Sequence, residues 1–307
     1  MNFKEFESKT IEYFKEKYAE KYNITVRDVL KNNGEVLRGI TMIKDDINAS
    51  PTIYLNDMYE AVLAGKDFNA IMDEIDYILD RSSLKEAIDI DFLSDYGIVK
   101  GKVLPKLINK ELNEDFLKDV PHFDYLDLAV SFYVIVESET FGTGSIAISN
   151  SNFEEWGITK EEMLEDSLKN YDRLLGCTVE RIESVLLQML KERGIGSEED
   201  FPYLNKKDGL FNEIPMYVVS NKMRTLGAAS LLDKKKLKMI SKDFSSSLYI
   251  LPSSIHELIF VPASVVDDLD YLKSMVSEVN KTEVSKSDFL SNSVYYYDAE
   301  KSALSVA

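Results

Sequence analysis

The sequence predicts an α+β protein: two lobes of mainly antiparallel sheet with packed helices, plus an N-terminal amphipathic helix. Apolar residues recur at helical spacing in some segments and form short β-branched or aromatic runs in others. The short runs come in pairs separated by turn residues, which is typical of antiparallel sheets. A polar stretch at 196–213 predicts a connection between an N-terminal lobe at 1–195 and a C-terminal lobe at 214–307.

The N-terminal helix is predicted over residues 3–22, where large side chains recur about four positions apart. These are Phe3, Phe6, Thr10, Phe14 and Tyr18. Such a stripe indicates a core-facing helix rather than a cofactor site. The turn residues at 32–34 then lead into a strand at 36–43, and two helices follow at 57–64 and 67–81.

The segment 125–136 is the most apolar run of the chain and predicts one buried central strand. A glycine-rich turn at 141–144 makes it a hairpin with residues 145–149. Thr159 and Glu162 form a capping box that opens a helix reaching about Leu175. A second helix is predicted over 178–193.

The C-terminal lobe is predicted to follow the order β-β-α-β-β-α-β-β. The six strands are expected at 216–220, 227–231, 247–251, 258–261, 294–297 and 303–306. Asp233 is expected to cap a helix that reaches Lys242, and a second helix is expected over 264–280.

Composition restricts the classes of function. The chain has 54 acidic and 36 basic residues and a formal charge of −18, so it repels nucleic acid and anionic membranes. Its single cysteine, Cys177, excludes an intramolecular disulfide and suits a reducing cytosol. The first residues carry charges where a signal peptide has an apolar core, and no apolar run is long enough to span a bilayer. We therefore expect a cytoplasmic protein.

Several segments resemble a known family: SPTIYLNDMYE at 50–60, LPKLINKELN at 104–113, VPHFDYLDLAV at 120–130, MYVVSN at 216–221 and LPSSIHE at 251–257. They resemble an uncharacterised bacterial domain-of-unknown-function family from anaerobic Gram-positive bacteria, over about residues 35–265. The WGIT segment at 156–159 gives a more distant likeness to an uncharacterised family from bacilli. The resemblance implies a compact cytosolic fold. It implies no catalytic residue, cofactor or partner.

The chain has two histidines, and each lies beside carboxylates at the start of an apolar run. His122 lies near Asp124 and Asp127, and His256 precedes Glu257. Two imidazoles and one or two carboxylates are a ligand set for a divalent metal such as Zn²⁺ or Fe²⁺. The hypothesis requires the two segments to meet in space. Otherwise each histidine is structural, bonded to nearby backbone.

A second hypothesis pairs Ser254 with His256 as nucleophile and base, oriented by Asp127 or Glu257. The Gly-x-Ser-x-Gly motif that many hydrolases carry around their serine is absent. A turn in which a serine hydroxyl bonds the backbone is the alternative.

These patterns favour a binding or interaction protein without catalysis, whose partner is a protein or a small ligand. No cofactor is expected other than the divalent metal above. One alternative is a metal-assisted hydrolase that uses His122, Asp127, His256 and Glu257. Another is an acidic mimic of nucleic acid that binds a DNA-binding protein, since residues 57–95 hold eleven acidic residues against three basic ones.

Overall fold

The computed structural model describes residues 1–44, 52–82, 91–138, 142–192, 194 and 214–307. Its α-helices are α1 (Phe3–Tyr18), α2 (Leu55–Leu63), α3 (Phe68–Ser82), α4 (Tyr96–Val99), α5 (Glu114–Leu117), α6 (Asn150–Trp156), α7 (Lys160–Leu174), α8 (Ile182–Glu192), α9 (Lys234–Asp243) and α10 (Leu269–Thr282). Its strands are β1 (Asn23–Leu30), β2 (Val36–Ile43), β3 (Thr52–Tyr54), β4 (Val103–Asn109), β5 (Phe123–Tyr125), β6 (Leu128–Ser138), β7 (Gly142–Ala147), β8 (Thr178–Arg181), β9 (Tyr217–Ser220), β10 (Leu248–Leu251), β11 (Leu258–Pro262), β12 (Tyr295–Asp298) and β13 (Ala303–Val306). This content confirms the α+β class. No helix in these ranges is both long and apolar enough to cross a lipid bilayer.

The chain divides into two compact units. Unit 1 comprises residues 1–95 and 135–146, and unit 2 comprises 96–134 and 147–307. These boundaries differ from those of the predicted lobes. One reason is that β8, which precedes the polar stretch, pairs with β9, which follows it. The predicted connection at 196–213 lies outside the described residues.

Unit 1 is built on the antiparallel sheet β1-β2-β3. The predicted N-terminal helix is present as α1, which begins after a capping box between Asn2 and Glu5. Its stripe faces the core as expected, with Phe6, Thr10 and Phe14 buried. β1 was not predicted, although its alternating burial is typical of a strand with one covered face.

Unit 2 contains a six-stranded sheet in the order β13-β12-β10-β11-β9-β8, in which every pairing is antiparallel. Helix α10 packs over this sheet through a core cluster. The cluster contains Leu251, Val261, Leu272, Val276 and Val294. A second sheet has the order β4-β6-β5, and β7 also pairs with β6.

Three predictions about elements are wrong. Residues 125–136 do not form one strand, because Leu126 has a φ of 57° and turns the chain between β5 and β6. Residues 227–231 belong to a buried 3-10 helix, Gly227–Leu232. The helix predicted over 178–193 begins with strand β8 instead.

Elements with strong local signals are confirmed. Thr159 caps α7 through a capping box with Glu162, and Asp233 caps α9 by accepting two backbone N–H bonds. The final hairpin, β12 and β13, pairs as expected.

Candidate functional site

An apolar pocket of about 660 Å³ lies in unit 2, between α10 and one face of the six-stranded sheet. Its sheet side includes Met216 before β9, Leu251 in β10 and Ile259 in β11. Its helix side is one face of α10. That face presents Tyr271, Met275, Val276 and Val279.

The strand register explains why these side chains share a wall. Leu251 lies opposite Ile259 in the pairing of β10 with β11. Residues on a strand alternate between the two faces of a sheet, so Ile259 and Val261 point to the same side. Val261 belongs to the cluster that packs with α10, and Ile259 packs against that cluster. The sheet side of the pocket therefore follows from the alternation of side chains along a strand, and the helix side follows from the spacing of residues on one face of α10.

Glu257 also lines this pocket, two residues before Ile259. Burial raises the pKa of Glu257, and the neighbouring charge of Asp288 raises it further, while the charge of Arg224 lowers it. Within the described part of the chain, no hydrogen bond or ion pair joins the Glu257 carboxyl to another group. A half-buried carboxyl among apolar side chains is a usual feature of binding and catalytic sites.

The other polar groups around the pocket are hydroxyls and one more acid. Ser253, Ser254 and Tyr271 supply the hydroxyls, and Glu283 is an exposed carboxylate at the rim. The lining that the structure describes contains no lysine, arginine or histidine. The pocket therefore combines apolar walls with a negative polar edge.

His256 is held on both ring nitrogens. Its Nδ1 accepts the backbone N–H of Leu226 at 3.2 Å, and its Nε2 lies 3.2 Å from Oδ1 of Asp288. Because a backbone N–H can only donate, Nδ1 carries no proton and Nε2–H donates to Asp288. This hydrogen-bond network assigns the neutral tautomer.

This geometry gives no support to a serine nucleophile. The hydroxyl oxygen of Ser254 accepts the backbone N–H of His256 at 3.0 Å. Neither ring nitrogen of His256 is left to take a proton from Ser254. The Ser254 hydroxyl therefore stabilises a turn by bonding the backbone, which is the alternative to the nucleophile hypothesis.

The 120–127 segment is engaged in separate contacts. His122 donates from Nδ1 to the carbonyl of Val120 at 3.0 Å, and Asp124 pairs with Lys110 at 2.6 Å. Asp127 lies in the turn between β5 and β6 rather than inside a strand. Its carboxylate accepts hydroxyl bonds from Ser291, Ser293 and Tyr295.

The structure does not gather the predicted metal ligands. Among the described residues, which include His122, Asp127, His256 and Glu257, no three His, Cys, Asp or Glu side chains group as a metal site. Segment 251–257 and Asp127 do share one neighbour, Ser291. Its backbone N–H donates to the Pro252 carbonyl, and its hydroxyl donates to the Asp127 carboxylate. That neighbour is a structural bridge of hydroxyl and backbone groups.

Sequence reasoning selected Glu257 for metal binding and missed its pocket. A detectable signal was the spacing of Glu257, Ile259 and Val261, which places an acid just before a strand and in line with its apolar face. Asp288, the partner of His256, carries no local signal because 32 residues separate the two.

Residues 3–299 match the model of a family of unknown function, DUF5688. Because this match covers almost the whole chain, the protein belongs to that family. The expected membership of a domain-of-unknown-function family is thus confirmed. No curated protein and no solved structure matched the chain.

Proposed function

We propose that this member of the DUF5688 family is a binding protein, and that the pocket under α10 holds the apolar part of a small molecule. The observation that carries the proposal is the pocket itself, with about 660 Å³ of space. Small-molecule sites commonly have ~300–1,000 Å³, mainly apolar walls and a few polar groups. Each buried methylene of a ligand contributes roughly 0.8 kcal/mol.

We further propose a cytoplasmic setting in bacteria, as the resemblance to proteins of anaerobic Gram-positive bacteria and the more distant likeness to the bacilli family imply. The lone cysteine supports a reducing compartment, and burial raises the pKa of the Cys177 thiol. The charge of −18 supports a ligand or protein partner over direct binding of nucleic acid.

Binding is tested with Nile red, a neutral dye whose fluorescence rises in apolar surroundings. Val279 lines the pocket and is 39% exposed, so Val279→Trp adds bulk inside it without emptying the core. Val265 is also 39% exposed and does not line the pocket, which makes Val265→Trp the matched control.

We expect the wild type and Val265→Trp to bind the dye with equal affinity. Val279→Trp should bind it at least about tenfold more weakly, because the indole ring occupies space that the dye needs. Such a loss corresponds to ~1.4 kcal/mol of binding free energy. Circular dichroism establishes that both variants are folded. The proposal fails if the wild type binds no dye, or if the two variants bind it equally well.

A further inference from the structure

We propose that the ligand carries a protonated amine on its apolar body, and that Glu257 is the residue that recognises it. This inference rests on the proposed function and adds the chemical class of the ligand. It starts from the contrast between apolar walls and the two carboxyls, Glu257 and Glu283, that line the same pocket.

Nearby cations do not satisfy Glu257. The guanidinium of Arg224 donates to Glu180 at 3.2 Å and to Gln188 at 2.9 Å. His256 is the neutral tautomer, and its Nε2–H points to Asp288. The neighbouring cation, Arg224, and the neighbouring imidazole, His256, are therefore both bonded to other groups, and the carboxylate is left for a ligand.

An ammonium group on an apolar stem fits both features of the pocket. Its stem replaces water along Ile259, Met275 and Val279, and its N–H groups donate to Glu257. A charge-assisted hydrogen bond is stronger than a neutral one, and more so where burial lowers the local dielectric. An anionic ligand would instead meet two carboxylates and no cation in the described lining.

The pH dependence follows from the groups that face Glu257, which are His256, Arg224, Asp288 and the rim acid Glu283. The pKa of Glu257 is raised above its ordinary value of 4.5, chiefly by burial. Amine binding needs the carboxylate form. It is therefore expected to weaken as the pH falls through that raised pKa, while binding of a neutral ligand stays constant.

The experiment compares n-octylamine with 1-octanol, which have the same apolar chain, as competitors of bound Nile red. In the wild type we expect octylamine to displace the dye at a concentration about tenfold or more below that of octanol. Glu257→Gln should abolish this preference and keep octanol binding. Glu283→Gln, at the exposed rim, should retain most of the preference.

Each outcome separates the two proposals. Equal displacement by amine and alcohol in the wild type overturns the amine inference and leaves the binding pocket intact. A preference that survives Glu257→Gln but is lost in Glu283→Gln overturns the assignment to Glu257. Absence of dye binding overturns the binding function and the amine inference together. The wild-type pH titration provides the same test if Glu257→Gln does not fold.

Discussion

At the scale of single residues, Glu257 is the side chain whose placement is hardest to explain by stability. A carboxylate that loses water without gaining a partner costs free energy. Among the residues that the structure describes, the half-buried Asp127 is compensated by three hydroxyl groups, and the buried Asp76 by Lys17, Tyr13 and Tyr18. An uncompensated cost of this kind is typical of positions kept for function.

This cost gives a prediction for stability. The pKa of Glu257 is raised on folding, so the folded chain binds its proton more tightly than the unfolded chain does. Stability is therefore lost as the pH rises through the window from 4.5 to the raised pKa. Glu257→Gln should have a larger free energy of unfolding than the wild type at pH 7.

Urea unfolding at pH 7 and pH 4 measures this difference. The advantage of Glu257→Gln should shrink at pH 4, where the wild-type carboxyl is mostly protonated in both states. Glu283→Gln, an exposed control, should stay within about 0.5 kcal/mol of the wild type. A less stable Glu257→Gln at pH 7 would mean that the carboxylate has a stabilising partner.

The roles of the two histidines could not be predicted from the sequence. Their scarcity is visible in the sequence, but their hydrogen-bond partners are not. The partner of His256 Nδ1 is the N–H of Leu226, a residue in the left-handed region with a φ of 55°. A left-handed leucine has no signature in composition or spacing.

At the scale of elements, α10 decides whether the pocket exists, because it supplies one whole wall. A helix was predicted from residue 264, but it begins at Leu269. Residues 263–265 form a separate 3-10 turn after β11. The start is set by Asp268, whose side chain accepts the N–H groups of Asp270 and Tyr271.

Removing this cap should weaken the pocket wall. Asp268→Ala is expected to lower stability by about 1 kcal/mol, the usual effect of losing an N-cap. Asp267→Ala removes the same charge from the adjacent exposed position, which makes it the matched control. Thermal unfolding should show a lower midpoint for Asp268→Ala only, and equal midpoints would refute the capping role.

Elements whose capping or turn residues lie a few positions apart in the sequence were predictable. Elements that depend on contacts between residues distant in the sequence were not. The capping box of α7 and the β12–β13 hairpin depend on residues a few positions apart. The 3-10 helix at Gly227 depends on tertiary contacts instead. A Cβ at Gly227 would lie 2.2 Å from Ser220 Oγ and 2.3 Å from the His256 carbonyl oxygen, which is far too close.

The whole molecule carries a charge of −18, and its acids do not all serve as a solvated surface. In unit 1, Asp76 is buried and accepts bonds from Lys17, Tyr13 and Tyr18. At least this acid of the 57–95 stretch is part of the internal packing. The nucleic-acid mimic stays a prediction, and its acids at 86 and 89 lie outside the described residues.

At the same scale, the pocket is the feature of this chain that gives the proposed function a concrete chemistry to test. Its walls come from segments that are remote in sequence, since Met216, Leu251 and Val279 meet only in the folded unit. The candidate residue Glu257 was visible in the sequence. The pocket around Glu257 was not visible, because it depends on the order of the strands in the sheet and on where α10 packs.

The most direct measurement is an NMR titration of protein labelled with ¹³C at its methionine methyl groups, with n-octylamine as the ligand. Met216 and Met275 line the pocket, whereas Met223 and Met239 are exposed elsewhere. We expect the methyl signals of Met216 and Met275 to shift and saturate together, with Met223 and Met239 unchanged. Shifts at the exposed methionines alone, or no saturable shift at Met216 and Met275, would contradict binding in this pocket.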